Sequence, residues 1–298
     1  MFFVHREKKG ARGRLALPRY FCYRQTLNGH SKKIEGDTME DSAVITKKAD
    51  GIKFIVINRE TRMNAVNPET VKLLQTIAEE TKQERDVRAV VITGAGKSFS
   101  TGADLKWTPE SDELQHMENR VWLFEHAIKA IYTLPVPTIA AIRGHAVGYG
   151  LSIALACDIR IASADAMMGM LFTKIGLMPD GGASYFLPRI VGLSKALELT
   201  YTADVIDAQE ALRIGLVNRV VPPADLEKEA EGLAKRLAKG PPVAYRFAKQ
   251  ALQSGIEYDL EKIFEKEVLG QTRCLMTADF MEGVSAFLQK RSPEYTGE

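Results

Sequence analysis

Two apolar runs, Arg88–Thr93 and Val136–Ile142, each lead into a glycine-rich loop, and helical sequence follows each loop. Runs this uniformly apolar read as strands buried on both faces. A third, Ile159–Ala162, lies beyond a short apolar helix at Leu151–Cys157. The connections contain helices and are too long for hairpins, so the strands must pair in parallel through crossovers. The chain is therefore expected to be α/β.

A strand pair precedes this unit at Ala43–Lys47 and Ile52–Asn58. Asn67-Pro68-Glu69 marks a helix start, with proline in the first turn and an acid near the positive end of the dipole. That helix is expected to run to about Glu84, and a longer one over Glu113–Tyr132. Beyond Gly192 the pattern is helical: Ser194–Tyr201, Ala208–Ile214, Ala224–Ala238, Pro242–Ser254, Leu260–Cys274 and Ala278–Lys290, interrupted by a short strand at Val217–Val221. Three parts result: a basic leader over 1–38, expected to be disordered, an α/β core over 39–192, and a helical region over 193–298.

Charge separates the first of these parts from the rest. Residues 1–38 carry nine Lys and Arg against Glu7, Glu35 and Asp37, which leaves the remainder 31 basic and 35 acidic residues of the chain's 40 and 38. A mildly acidic body gives no reason to expect nucleic-acid binding. An arginine-rich, acid-poor head can be a transit peptide to the mitochondrion. The preferred reading takes Met39 as the natural start of a bacterial cytoplasmic protein, because Glu35–Thr38 back-translates to a purine-rich stretch of the kind that precedes a start codon. No apolar run approaches the ~20 residues needed to span a bilayer, so no membrane partner is expected. Cys22, Cys157 and Cys274 have neither metal nor redox spacing, which fits a reducing compartment.

The first glycine-rich loop reads S-F-S-T-G-A-D-L over Ser98–Leu105, the second G-H-A-V-G-Y-G-L-S over Gly144–Ser152. Ser100, Thr101, Gly102 and Ala103 are small, so a ligand can approach the backbone, and Asp104 can cap the segment that follows. Gly148 and Gly150 flank Tyr149 where the chain turns into a helix, whose first N–H groups lack internal partners. Two such loops can aim two N–H groups at one oxygen, the arrangement that holds a developing enolate. Either loop alone is also an ordinary strand–helix turn.

Asp180, in M-P-D-G-G, has two local readings. It can N-cap the helix that reaches Pro188. Alternatively it carries a proton within an apolar pocket formed by Phe172, Ile175, Leu177 and Met178, where desolvation raises its pKa. His116, His126 and His145 show no metal spacing. Ser152 lacks an acyl-transfer triad, and neither a phosphate loop nor a dinucleotide fingerprint is present.

Taken together, N-R-E-T-R-M-N-A (Asn58–Ala65), the two loops, the continuation to Asp158, K-I-G-L-M-P-D-G-G (Lys174–Gly182) and M-E-G-V-S-A-F-L-Q-K-R (Met281–Arg291) resemble the crotonase superfamily, or enoyl-CoA hydratase/isomerase family. The resemblance implies a spiral of ββα units with a helical C-terminal trimerisation region, assembled as a homotrimer or a dimer of trimers. It implies an acyl-CoA substrate, with coenzyme A as part of that substrate and no permanently bound cofactor or metal. The oxyanion hole maps to the backbone N–H groups of Ala103 and Tyr149. Coenzyme A is expected along Arg62, Met63, Thr101, Ala103, Asp104 and Lys106, with Phe287 and Lys290 reaching it, often across a subunit boundary. Family hydratases use two glutamates, and their positions correspond to Ser152 and Phe172 in the pocket here. Neither is an acid. The remaining acidic position of the family is Asp180, and the run around it is similar to the ring-epoxide/enoyl-CoA isomerase branch of phenylacetate breakdown. The expectation is therefore a double-bond isomerase with Asp180 as acid and base. The alternatives are a single-acid hydratase, an aryl-CoA dehalogenase using His126 and Phe172, or a non-catalytic coenzyme A- or RNA-binding member.

Overall fold

The computed structural model describes residues 42–107 and 116–298, so the leader expected over 1–38 lies outside the described residues. β1 (Val44–Ala49) and β2 (Ile52–Ile57) form an antiparallel pair. α1 (Pro68–Thr81) follows, and the Asn67 side chain accepts the Thr70 N–H at its start. After β3 (Ala89–Gly94) come α2 (Met117–Tyr132), β4 (Thr138–Ile142), β5 (His145–Val147), α3 (Tyr149–Leu155), β6 (Ile159–Ser163) and β7 (Met167–Gly169). Then follow α4 (Ala183–Val191), α5 (Leu193–Thr202), β8 (Val205–Asp207), α6 (Ala208–Arg213) and β9 (Arg219–Val221). α7 (Leu226–Ala238), α8 (Pro242–Ser254), α9 (Leu260–Leu275) and α10 (Ala278–Gln289) complete the described chain.

Six strands form one sheet in the order β1-β2-β3-β4-β6-β9, parallel from β2 onward, as the crossover lengths require. Three form a second sheet, β5-β7-β8. Successive strands go to alternate sheets: β4 and β6 join the large one, β5 and β7 the small one. This alternation matches the spiral of ββα units that the resemblance implies.

Both faces of the central strands β3 and β4 are buried, which is why these strands carry no polar alternation. Val90, Ile92, Ala140 and Ile142 face the main core, with α1, α2 and α3. Their neighbours Ala89, Val91, Ile139 and Ala141 face a second core closed by Leu226, Ala230, Leu233 and Ala234 of α7. α8 is fastened to this body by Lys249, whose ammonium lies 2.8 Å from the Asp158 carboxylate. The same carboxylate oxygen accepts the Thr138 N–H and hydroxyl at 2.8 and 2.9 Å.

Differences from expectation are small but instructive. The helix expected over Glu113–Tyr132 begins at Met117, with His116 as its non-helical N-cap; 108–115 lie outside the described residues. The strand expected from Val136 begins at Thr138, because Pro137 has no N–H to give a sheet. β5, β7 and β8 have three residues each, too short for a hydrophobic period to announce them.

Candidate active site

The first loop is held by backbone pairing on both sides. Ser100 bridges to Ala146 of β5, giving its N–H to the His145 carbonyl and accepting the Val147 N–H. Ala103 bridges to Val66 through its neighbours: Val66 N–H goes to the Gly102 carbonyl and Asp104 N–H to the Val66 carbonyl. In such a parallel bridge the central residue turns its own N–H away from the partner strand. Ala103 N–H is therefore directed outward, and it has no acceptor among the described residues.

The second loop meets it there. Gly102 has φ +88°, and a Cβ added to it would lie 2.8 Å from the Val147 carbonyl and 3.3 Å from the Tyr149 nitrogen. Only glycine lets the two backbones come this close. Tyr149 opens α3, so the helix supplies no acceptor for its N–H, and none exists among the described residues. Its ring is buried in the core, edge-on to Phe124, with its hydroxyl on the Phe124 carbonyl at 2.7 Å. Two unpaired N–H groups thus stand on adjacent backbones, one anchored by a sheet bridge and the other by a buried aromatic ring.

The turn that carries Asp180 packs against Tyr149 and Ser152. Its backbone carbonyl accepts the Ser152 hydroxyl at 2.9 Å and the Ala183 N–H at 3.1 Å. Gly181 has φ +60°, and a Cβ there would press within 3 Å of the Tyr149 ring and the Ser152 side chain. The carboxylate Oδ1 is buried with no donor among the described residues. Burial first, and the nearby Glu125 charge second, push the Asp180 pKa up to about 6.

Of its two local readings, capping fails. α4 begins after Gly182, and no side chain caps it. The apolar pocket is right in kind and wrong in its walls. Phe172 is buried, but Ile175, Leu177 and Met178 are 51%, 54% and 73% exposed, thrown outward by a short 3-10 turn and the left-handed Gly176 after it. Tyr149 and Ser152 pack instead against the turn that carries the acid, the ring and side chain at Gly181 and the Ser152 hydroxyl on the Asp180 carbonyl.

The residues matched to coenzyme A contacts divide into two groups. Arg62, Met63, Thr101, Ala103, Asp104 and Lys106 share one surface region, since Thr101 N–H bonds to the Met63 carbonyl and Asp104 to the Val66 carbonyl. Arg62, Met63, Ala103 and Lys106 are exposed there. The Asp104 carboxylate caps Lys106 N–H and pairs with Arg59 at 3.0 Å. Phe287 and Lys290 belong to α10 and its left-handed end, and share no hydrogen bond or ion pair with either loop among the described residues. His126 is exposed and stacks on Trp122, with no bond to Asp180 among the described residues.

Two residues that the sequence reading did not single out organise the site. Asn64 is fully buried; its amide donates to the Ala95 and Ser98 carbonyls at 2.8 and 2.6 Å and ties the 58–66 turn to the first loop. Left-handed φ at Met63 and Asn64 turns the chain there. Glu125 of α2 accepts the Gly181 N–H at 2.9 Å, which sets a second carboxylate beside the Asp180 turn. Asn in N-R-E-T-R-M-N-A was a usable signal; Glu125 carried none.

Known proteins place this geometry in context. The family model for enoyl-CoA hydratase/isomerase matches residues 47–298. A short-chain-enoyl-CoA hydratase of Clostridium acetobutylicum is 38% identical over 261 residues, covering 86% of this chain and 98% of the relative. The mitochondrial methylglutaconyl-CoA hydratase of Mus musculus is 36% identical over 282 residues, covering 91% and 87%. Among solved structures, an enoyl-CoA hydratase from Bacillus anthracis superposes with a TM-score of 0.82 at 37% identity, over 86% of this chain and all of that one.

Proposed function

Because this chain belongs to the enoyl-CoA hydratase/isomerase family, we propose that it moves the double bond of a 3-enoyl-CoA to the 2-position through a dienolate. The observation that carries this reading is the Asp180 carboxylate, whose Oδ1 is buried with no donor among the described residues and whose pKa is pushed up to about 6. Such a group is a competent base near neutral pH and becomes a competent acid once it holds the proton.

Asp180 takes a proton from the alpha carbon, and the electron pair moves onto the thioester oxygen. The Ala103 and Tyr149 N–H groups receive that oxygen, an interaction worth about 3 kcal/mol of barrier per donor in comparable sites. Asp180 returns the same proton at the gamma carbon. The reaction is proton-neutral and consumes no water. Coenzyme A runs along Arg62, Met63, Thr101, Ala103, Asp104 and Lys106, and a neighbouring subunit of a trimer or a dimer of trimers brings Phe287 and Lys290. Exposed Phe287 supports that arrangement, at 83% accessible in the single chain.

Hydration is the second reading. Glu125 supports it, since it offers a second carboxylate near Asp180, and so do the hydratase names of the relatives. Against it stand Ser152 and Phe172, which cannot act as acids where the resemblance sets the hydratase glutamates.

The test is Asp180→Asn. Isomerisation of a 3-enoyl-CoA should fall at least about a thousandfold while CoA-thioester affinity stays within about threefold. Surviving isomerase activity would remove Asp180 from the role. Wild-type enzyme that hydrates crotonyl-CoA rapidly and leaves 3-enoyl-CoA untouched would decide for hydration.

A further inference from the structure

The peptide group joining Asp180 to Gly181 is gripped at both ends by side chains of two different helices. Its carbonyl oxygen accepts the hydroxyl of Ser152 from α3 at 2.9 Å. Its N–H donates to the carboxylate of Glu125 from α2 at 2.9 Å. The plane of that peptide fixes the direction in which Asp180 leaves the backbone, and a left-handed glycine follows, so the turn has little stiffness of its own. A hydrogen bond to a charged acceptor is about twice as strong as a neutral one. Glu125 also lines, with Gly182, Tyr185 and Phe186, a cavity of about 510 Å³. Glu125 is half-buried and so is not sealed in the core.

We propose that Glu125 is a positioning residue for Asp180: it clamps the 180–181 peptide against Ser152 and keeps a negative charge beside the reacting carboxylate. The inference rests on the isomerase reading for its kinetic consequences and on geometry alone for the clamp. The raised Asp180 pKa agrees with it, Glu125 being the second cause after burial. The other titratable groups facing this region are Tyr149 of α3, Lys129 and Tyr132 of α2, Tyr185 of α4, Glu257 of the turn between α8 and α9, and Lys266 of α9.

Glu125→Gln keeps an acceptor for the Gly181 N–H and removes the charge, whereas Glu125→Ala removes both. Carboxyl NMR of aspartate-labelled protein, with the Asp180 resonance assigned from Asp180→Asn, should show its titration midpoint lower in Glu125→Gln than in wild type. The Gly181 amide resonance should move markedly in Glu125→Ala and little in Glu125→Gln. With a 3-enoyl-CoA, Glu125→Ala should lose roughly tenfold or more in kcat with KM within about twofold. Glu125→Gln should recover most of that loss, with the acidic limb of its pH profile displaced to lower pH. An unmoved Asp180 midpoint in Glu125→Gln, or an unmoved Gly181 amide in Glu125→Ala, overturns the proposal whatever the turnover. If both resonances respond while wild-type enzyme fails to isomerise 3-enoyl-CoA, the clamp stands and the assigned reaction falls.

Discussion

Asp180 costs the fold something, and that cost has a pH signature. Its carboxyl is raised from the ordinary 3.8 to about 6, so folding favours the protonated form. Below about pH 4 both folded and unfolded chains hold the proton and no penalty exists. As pH rises through about 6 the folded chain must ionise the buried acid. At 1.36 kcal/mol per unit the penalty then reaches roughly 3 kcal/mol. Asp180→Asn should therefore melt several degrees above wild type at pH 7.5 and level with it at pH 4, as circular dichroism melts would show. The same titration sets activity: kcat/KM for a 3-enoyl-CoA should rise with pH through about 6, because the base must be ionised. Asp180 was legible in the sequence because M-P-D-G-G puts an acid in a tight turn. Glu125 was not, because Phe124-Glu125-His126 on a helix reads as one buried residue followed by two polar surface ones. Its partner lies 56 residues away, a separation that no local pattern encodes.

At the level of elements, long helices and strands matched expectation within a few residues, since hydrophobic period and capping chemistry decide them locally. The small sheet did not, because three-residue strands owe their existence to the neighbours they pair with. That sheet matters for the site: β5 holds the first loop through Ser100 and leads directly into the second. Gly102→Ala tests the convergence. With φ +88° and the Val147 carbonyl 2.8 Å from an added Cβ, the substitution must push the loops apart. A folded protein with kcat lowered roughly 10²- to 10³-fold is expected, read by circular dichroism and turnover of a 3-enoyl-CoA. Ser152→Ala removes a hydrogen bond worth about 1 kcal/mol from the Asp180 turn, so kcat should fall roughly fivefold.

On the scale of the whole molecule, the C-terminal helices are only half accounted for by one chain. Leu260, Phe264 and Val268 make a stripe along α9, each more than half exposed. A stripe at four-residue spacing is the face a helix offers to another surface. Val268→Glu should therefore shift sedimentation from the proposed trimer or hexamer toward smaller species. If Phe287 and Lys290 serve coenzyme A in a neighbouring subunit, the same variant should raise KM for CoA thioesters more than it lowers kcat. Sequence showed that these helices exist, but their apolar faces read there only as ordinary amphipathic helices. The fold reveals that the core leaves those faces uncovered.

The two halves of the site are built from different material. Ala103 and Tyr149 present main-chain groups, set by strand bridges and a helix start, while the acid is aimed by the side chains of Ser152 and Glu125. A single codon change can delete a hydroxyl or a carboxylate, but it cannot delete a peptide N–H except by writing proline. Mutational drift in this pocket therefore acts mainly on side chains such as the acid and its clamps, and seldom on the main-chain donors proposed to receive the thioester oxygen. A scaffold partitioned in this way can diverge from one acyl-CoA chemistry to another in small, survivable steps.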